Sequence, residues 1–142
     1  MYAKRTIGLK RVFKTLFWIW LIIFVALLYA PKLPTVRVSF LSGIIRIDYL
    51  SHIFFNFVLI FLLLLWKSDN QYRITIQRAL IIFVLGIAFG FTTEFTQSII
   101  VVGRSREMAD LICNTSGVLL GLIVYIIVPS GKIIDRMGKG HG

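Results

Sequence analysis

The chain predicts an all-α membrane protein, a bundle of four transmembrane helices, and three observations carry that reading. Of its 142 residues, 58% are hydrophobic, above the roughly half expected of a soluble domain. The apolar residues come in four long blocks, where a soluble amphipathic helix would space them along one face. Lys and Arg number 16 against 6 Asp and Glu, and they flank the blocks, where such residues set topology and meet anionic headgroups. A soluble core built from these blocks would leave large apolar patches in water. The blocks also lack the strict alternation of membrane-barrel strands.

The first block covers 15–30, is uncharged and ends before Pro31. It reaches the roughly 20 residues that span a hydrocarbon core by borrowing Phe13 and Lys14, whose amine snorkels to the interface. The basic front of Lys4, Arg5, Lys10, Arg11 and Lys14 also suits a signal peptide, but no small-x-small cleavage site precedes Pro31, so a retained helix is expected. The second block is 50–66. The third, 79–102, contains Gly86, Gly90, Glu94 and Gln97, and the fourth, 111–128, ends at Pro129. Within the connection 31–49, PKLP and RVSF suggest an extended piece, and SGIIRIDYL leads into the second helix. The organisation is thus one transmembrane domain, 15–128, between a basic N-terminus, 1–14, and a short basic tail, 129–142.

Eleven Lys and Arg fall in the termini and in 67–78, against five in 31–49 and 103–110. The positive-inside rule then puts both termini in the cytoplasm, in a multi-pass membrane protein. The net charge of +10 serves topology; no nucleic-acid motif accompanies it, and nucleic acid is not an expected partner. Cys113 is the only cysteine and reads as a buried small residue, while His52 and His141 are the only histidines. A histidine-based metal site would need carboxylates to complete it, so neither metal nor cofactor is expected.

The residues that need an account are polar ones in or beside apolar blocks, because an ionisable group near lipid is costly unless it faces a partner or a cavity. Asp48, His52 and Asn56 recur every four residues and form one stripe of a helix. Glu94 and Gln97 close the third block, Arg104 lies in the loop, and Asp110 and Asn114 open the fourth. With alternating helices, all lie near the outer interface. Taken singly, Asp110 suits a helix N-cap, Asn114 interhelical hydrogen bonding and His52 a structural role. Gly86/Gly90 and Gly117/Gly121 read as small-x3-small packing pairs.

The runs Asp48-x3-His52, Gly90-x3-Glu94-x2-Gln97 and Arg104-x5-Asp110-x3-Asn114-x2-Gly117-x3-Gly121 resemble the VanZ-like family in order and spacing, over roughly 46–128. The family's usual Asp-Lys pair before the histidine reads Asp48-Tyr49 here. The resemblance implies a small bacterial inner-membrane protein of four to five helices; the family's type member is associated with teicoplanin resistance. Two functions fit these residues. In the first, Asp48, His52, Asn56, Glu94, Gln97, Arg104, Asp110 and Asn114 bind an envelope lipid, a glycopeptide-type or other cell-wall ligand, or a membrane-protein partner, with membrane lipids around the bundle and Arg104 contacting an anion. In the second, the protein is an intramembrane hydrolase or transferase, with His52, Glu94, Arg104 and Asp110 as the catalytic candidates. Ser51 and Thr93 stand beside the cluster, but no nucleophile motif or phosphate loop accompanies them. A transporter is disfavoured, because four helices show no internal repeat.

Overall fold

The computed structural model describes residues 2–29, 37–40, 43–69, 71–100 and 107–128. Four long helices dominate: α1 (Tyr2–Leu28), α2 (Ile47–Lys67), α3 (Ile76–Ile100) and α4 (Met108–Ile127). Each contains a stretch long and apolar enough to cross a membrane, and the protein is a multi-pass helical bundle. Between α1 and α2 lies a short antiparallel hairpin, β1 (Arg37–Phe40) and β2 (Gly43–Arg46), in register from Arg37↔Arg46 to Phe40↔Gly43. The RVSF stretch expected to be extended is β1, and β2 passes directly into α2.

The helices begin earlier than their hydrophobic blocks. The last three start three residues sooner than expected, at Ile47, Ile76 and Met108, because the polar first turns (with Asp48, Arg78 and Asp110) belong to the hydrogen-bonded helix. Hydropathy marks only the part that meets lipid. The difference is largest in α1, which runs through the basic N-terminus from Tyr2. Lys, Arg, Leu and Ala are good helix formers, and no proline interrupts them. The membrane-capable part of α1 is Gly8–Leu28.

The helices alternate in direction, as contacts at both ends show. At one end Lys10 Nζ donates to the Ser68 carbonyl at 2.5 Å, and Tyr125 Oη donates to the Tyr72 carbonyl at 2.8 Å. Phe13 meets Tyr72 edge-to-face. The turn between α2 and α3 is organised by Asp69, whose Oδ1 accepts the backbone N–H of Gln71 at 2.8 Å and of Arg73 at 2.7 Å. That turn holds Tyr72 in the left-handed region at φ 57°. At the opposite end, Gln97 Nε2 donates to the Leu28 carbonyl at 2.7 Å, and Tyr49 Oη donates to Glu107 Oε2 at 3.2 Å.

Helix α2 is central and touches the other three, with its most extensive interface against α4. That interface is close because α4 presents glycine. A Cβ on Gly117 would overlap the Ile53 carbonyl oxygen and lie 2.9 Å from Asn56 Cβ; one on Gly121 would lie 2.9 Å from the Phe57 carbonyl oxygen. Gly86 and Gly90 do the same on α3, Gly86 facing Ile60 and Val118, and Gly90 facing Asn114. Two apolar clusters fill the remaining interior. Ile60, Leu64, Ile82, Val118 and Tyr125 knit α2, α3 and α4, while Phe17, Phe24, Leu28 and Leu59 dock α1 on α2. Aromatic stacking continues that second seam, with Phe55 between Trp20 and Phe24. Large apolar side chains such as Ile22, Val84 and Ile126 remain 60–67% exposed on the outside. Water would oppose that surface, whereas lipid solvates it.

Candidate functional site

Helix direction gathers the polar residues. The C-terminal ends of α1 and α3 meet the N-terminal ends of α2 and α4, and each contributes polar groups at nearly the same depth. On α2, the four-residue spacing of Asp48, His52 and Asn56 turns them to the face opposed by α4. Glycine at 117, one turn below Asn114, lets α4 come close enough for its amide to reach them.

Asn114 is the hub. Its Oδ1 accepts from Asn56 Nδ2 at 2.8 Å and lies 2.9 Å from His52 Nδ1. Its Nδ2 faces α3, 3.4 Å from the Gly90 carbonyl and 3.5 Å from Glu94 Oε1. Asn56 Nδ2 also donates to the His52 carbonyl at 2.9 Å. His52 stands among carboxylates, with Nε2 3.8 Å from Asp48 Oδ1 and Nδ1 3.8 Å from Glu94 Oε1. The donor atoms of Asp48, His52 and Asp110 all lie within 4.8 Å of one another. His52, Asn56, Glu94, Asp110 and Asn114 are each at most 7% exposed, while the Asp48 side chain keeps 30% of its exposure.

Asp110 does not cap α4. The N-cap position is Glu107, and Asp110 falls in the first turn. Its charge still suits that end of the helix dipole, and its side chain is directed into the site. Gln97 sits apart from the Asn114 network. It turns to α1, where the Leu28 carbonyl is one of those left open at a helix C-terminus. Arg104 lies outside the described residues. Thr93 is buried, but its hydroxyl donates to the Gly90 carbonyl at 2.9 Å, which commits it to its own helix. Cys113 is half-buried rather than buried.

Beside the network a cleft of about 80 Å³ opens between α1, α2 and α3. Asp48, Ser51, His52 and Gln97 supply its polar lining, and Phe24, Leu27, Leu28 and Phe55 its apolar walls. The α1 residues are not among the candidates that the sequence suggests. An unbroken apolar helix carries no stripe to say which face meets the bundle; the only signal is the set of open carbonyls at its end. Tyr49 likewise gives no sign in sequence of its partner. It ties α2 to Glu107, at the foot of α4.

Compared with protein-family models, curated proteins and solved structures, the chain finds no match.

Proposed function

We propose that the chain is a VanZ-like protein of the bacterial cytoplasmic membrane, with both termini cytoplasmic, whose polar cluster opens on the outward face. There it holds the headgroup of an envelope lipid or a lipid-linked cell-wall ligand. The cleft carries this reading. Its polar residues stand together at the ends of the helices, and its aromatic and aliphatic walls continue into the bundle, the division an amphiphile needs. Ser51→Trp would fill the cleft while leaving every residue of the Asn114 network unsubstituted. Native mass spectrometry of the purified protein should find a co-purifying lipid that this variant loses while its thermal midpoint holds. The same lipid at equal occupancy in both proteins would refute the reading.

A second reading, an intramembrane hydrolase or transferase on a lipid-linked headgroup, rests on one observation. His52 is fixed through Nδ1 by Asn114 and flanked by Asp48, an arrangement suited to a general base. Conversion of the bound lipid on incubation, lost in His52→Gln, would favour catalysis. A lipid retained unchanged favours binding.

Orientation has its own test. A cysteine placed at Ser105 in a Cys113→Ala background should react with an impermeant maleimide on intact cells. Labelling only after the cells are opened would reverse the topology.

A further inference from the structure

We infer that the end of the bundle opposite the cleft carries a site for the headgroup of an anionic phospholipid, in which the ammonium groups of Lys14 and Lys67 take the phosphodiester beside the indole of Trp66. The inference does not rest on the headgroup-binding reading of the cleft, and the two sites lie at opposite ends of the helices.

The starting point is the antiparallel pairing of α1 with α2. Lys10 Nζ donates to the Ser68 carbonyl, which fixes the start of α1 beside the last turn of α2. Lys14, one turn further along α1, then meets Trp66. Its Nζ stands over the Trp66 ring, 5.8 Å from the centroid, and Lys67 Nζ stands over the same ring at 4.1 Å. Phe17 and Trp18 hold that ring from α1, with centroids 5.5 Å and 6.4 Å from it. Contact with the indole face restrains both long, flexible side chains, so part of the entropy cost of ordering them is met before any ligand arrives.

The ring orders the two cations without neutralising them. Both approach one uncharged indole, so they stand within about 10 Å of each other, where like charges still repel. Lys14 and Lys67 are exposed, and neither makes an ion pair with a described residue. Of the described acidic residues only Asp69 lies at this end, and its Oδ1 accepts the backbone N–H groups of Gln71 and Arg73. Asp48, Glu94, Glu107 and Asp110 are all at the other end. Arg11, Arg73 and Arg78 add further exposed positive charge here. Two ordered ammonium groups without a carboxylate partner among the described residues suit one phosphodiester, whose two free oxygens give each cation an acceptor.

The face on which Lys14 stands favours a lipid over a soluble anion. Arg11, Lys14, Trp18 and Ile22 follow one another at spacings of three, four and four residues along α1, which puts them on one side of the helix. Arg11 and Lys14 are exposed, as are Trp18 by 47% and Ile22 by 67%. In order they offer two bases, an indole and an apolar side chain. A phospholipid presents matching environments from headgroup through interface to acyl chain. The end of α2 runs the same way, with Lys67 outermost, Trp66 next and four leucines before it.

The test places the full chain in bilayer discs of equal parts phosphatidylglycerol and phosphatidylcholine and identifies the lipid that stays bound by native mass spectrometry. The retained lipid should be enriched in phosphatidylglycerol. Lys14→Gln and Lys67→Gln should each lower that enrichment about tenfold, as the loss of one charge-assisted hydrogen bond implies, with the thermal midpoint unchanged. Lys14→Arg keeps the cation and its contact with the indole and should retain the enrichment. Arg78→Gln removes the same charge from α3 and should stay within about twofold of the parent, because salt screens a distant charge. Equal retention of the two lipids, or an equal loss in Arg78→Gln and Lys14→Gln, would leave only diffuse attraction to the bilayer surface and overturn the inference. Inorganic phosphate, raised at constant ionic strength, should not displace the lipid; displacement would make this a free-phosphate site and overturn it too. Ser51→Trp, which fills the cleft, should keep the enrichment, and its loss there would put the anionic lipid in the cleft instead. A cleft that holds no lipid would leave the result at Lys14 and Lys67 standing.

Discussion

Gly117→Leu is expected to abolish the folded bundle, and Gly117→Ala to lower the thermal midpoint of the purified protein sharply. The reason is the identity of the opposing atoms. A Cβ at 117 would overlap the Ile53 carbonyl oxygen, part of the α2 backbone, and sit 2.9 Å from Asn56 Cβ. Neither can rotate away, so the helices must separate. Overpacking of this kind costs about 1–3 kcal/mol for a small group, and a leucine forces a wider gap than the interface can absorb. Gly121 faces backbone as well, with the Phe57 carbonyl oxygen 2.9 Å from where a methyl group would stand. Gly86 is different: the nearest atom is Ile60 Cδ1, at 2.7 Å, the far end of a flexible side chain. Gly8 has nothing within 4 Å. Alanine substitutions should therefore rank Gly117 and Gly121 as most damaging, Gly86 next and Gly8 neutral or slightly favourable. A larger loss at Gly86 than at Gly117 would sink this account. Separation at 117 also withdraws Asp110 and Asn114 from His52, so the same variant should lose whatever the site binds.

The separation between what is legible in the sequence and what is not follows physical lines. Blocks of apolar residues announce spans, because a bilayer demands a minimum length. The recurrence of Asp48, His52 and Asn56 announces a face, because a helix repeats every 3.6 residues. Glycine pairs announce close approach. None of these says which helix a face meets. Gln97 shares the depth of Glu94 but turns to α1, a choice made by the open carbonyl at Leu28 rather than by any pattern near residue 97. In lipid the outside of a bundle is as apolar as its inside, so no stripe along α1 reveals that Phe24 and Leu28 wall the cleft. The hydrophobic block likewise conceals how far α1 extends, since Lys and Arg end a block without ending a helix. Nor does the sequence show which carboxylates surround His52. Asp48 is one turn away along the same helix, but Asp110 arrives only by way of the fold.

Asn114→Leu should produce the second large effect, because one amide joins three helices. From α4 its oxygen takes donors from His52 and Asn56 on α2, and its nitrogen faces the Gly90 carbonyl and Glu94 on α3. Leucine is of similar bulk but removes every one of these contacts at once. A single interhelical hydrogen bond in a membrane averages about 0.6 kcal/mol, whereas stripping a partner from a buried polar group costs about 1–3 kcal/mol. With several groups affected, a loss of about 2–4 kcal/mol is expected. Trp20 packs on Phe55 and donates to its carbonyl, so its fluorescence offers a local readout of unfolding near the site. Asn114→Asp separates the roles of the two halves of the amide. It keeps an oxygen for His52 and Asn56, but it gives up donation to Gly90 and puts a second carboxylate beside Glu94, so one of the pair must hold a proton. Its stability should fall between parent and leucine variant. If Asn114→Asp is as damaging as Asn114→Leu, the α3 contacts dominate; if Asn114→Leu is no less stable than the parent, the amide is not the hub. The same Asp variant should retain the His52 orientation that leucine loses. A bundle weakened equally by both changes, but keeping its ligand only with aspartate, would separate the residue's structural role from its role in the site.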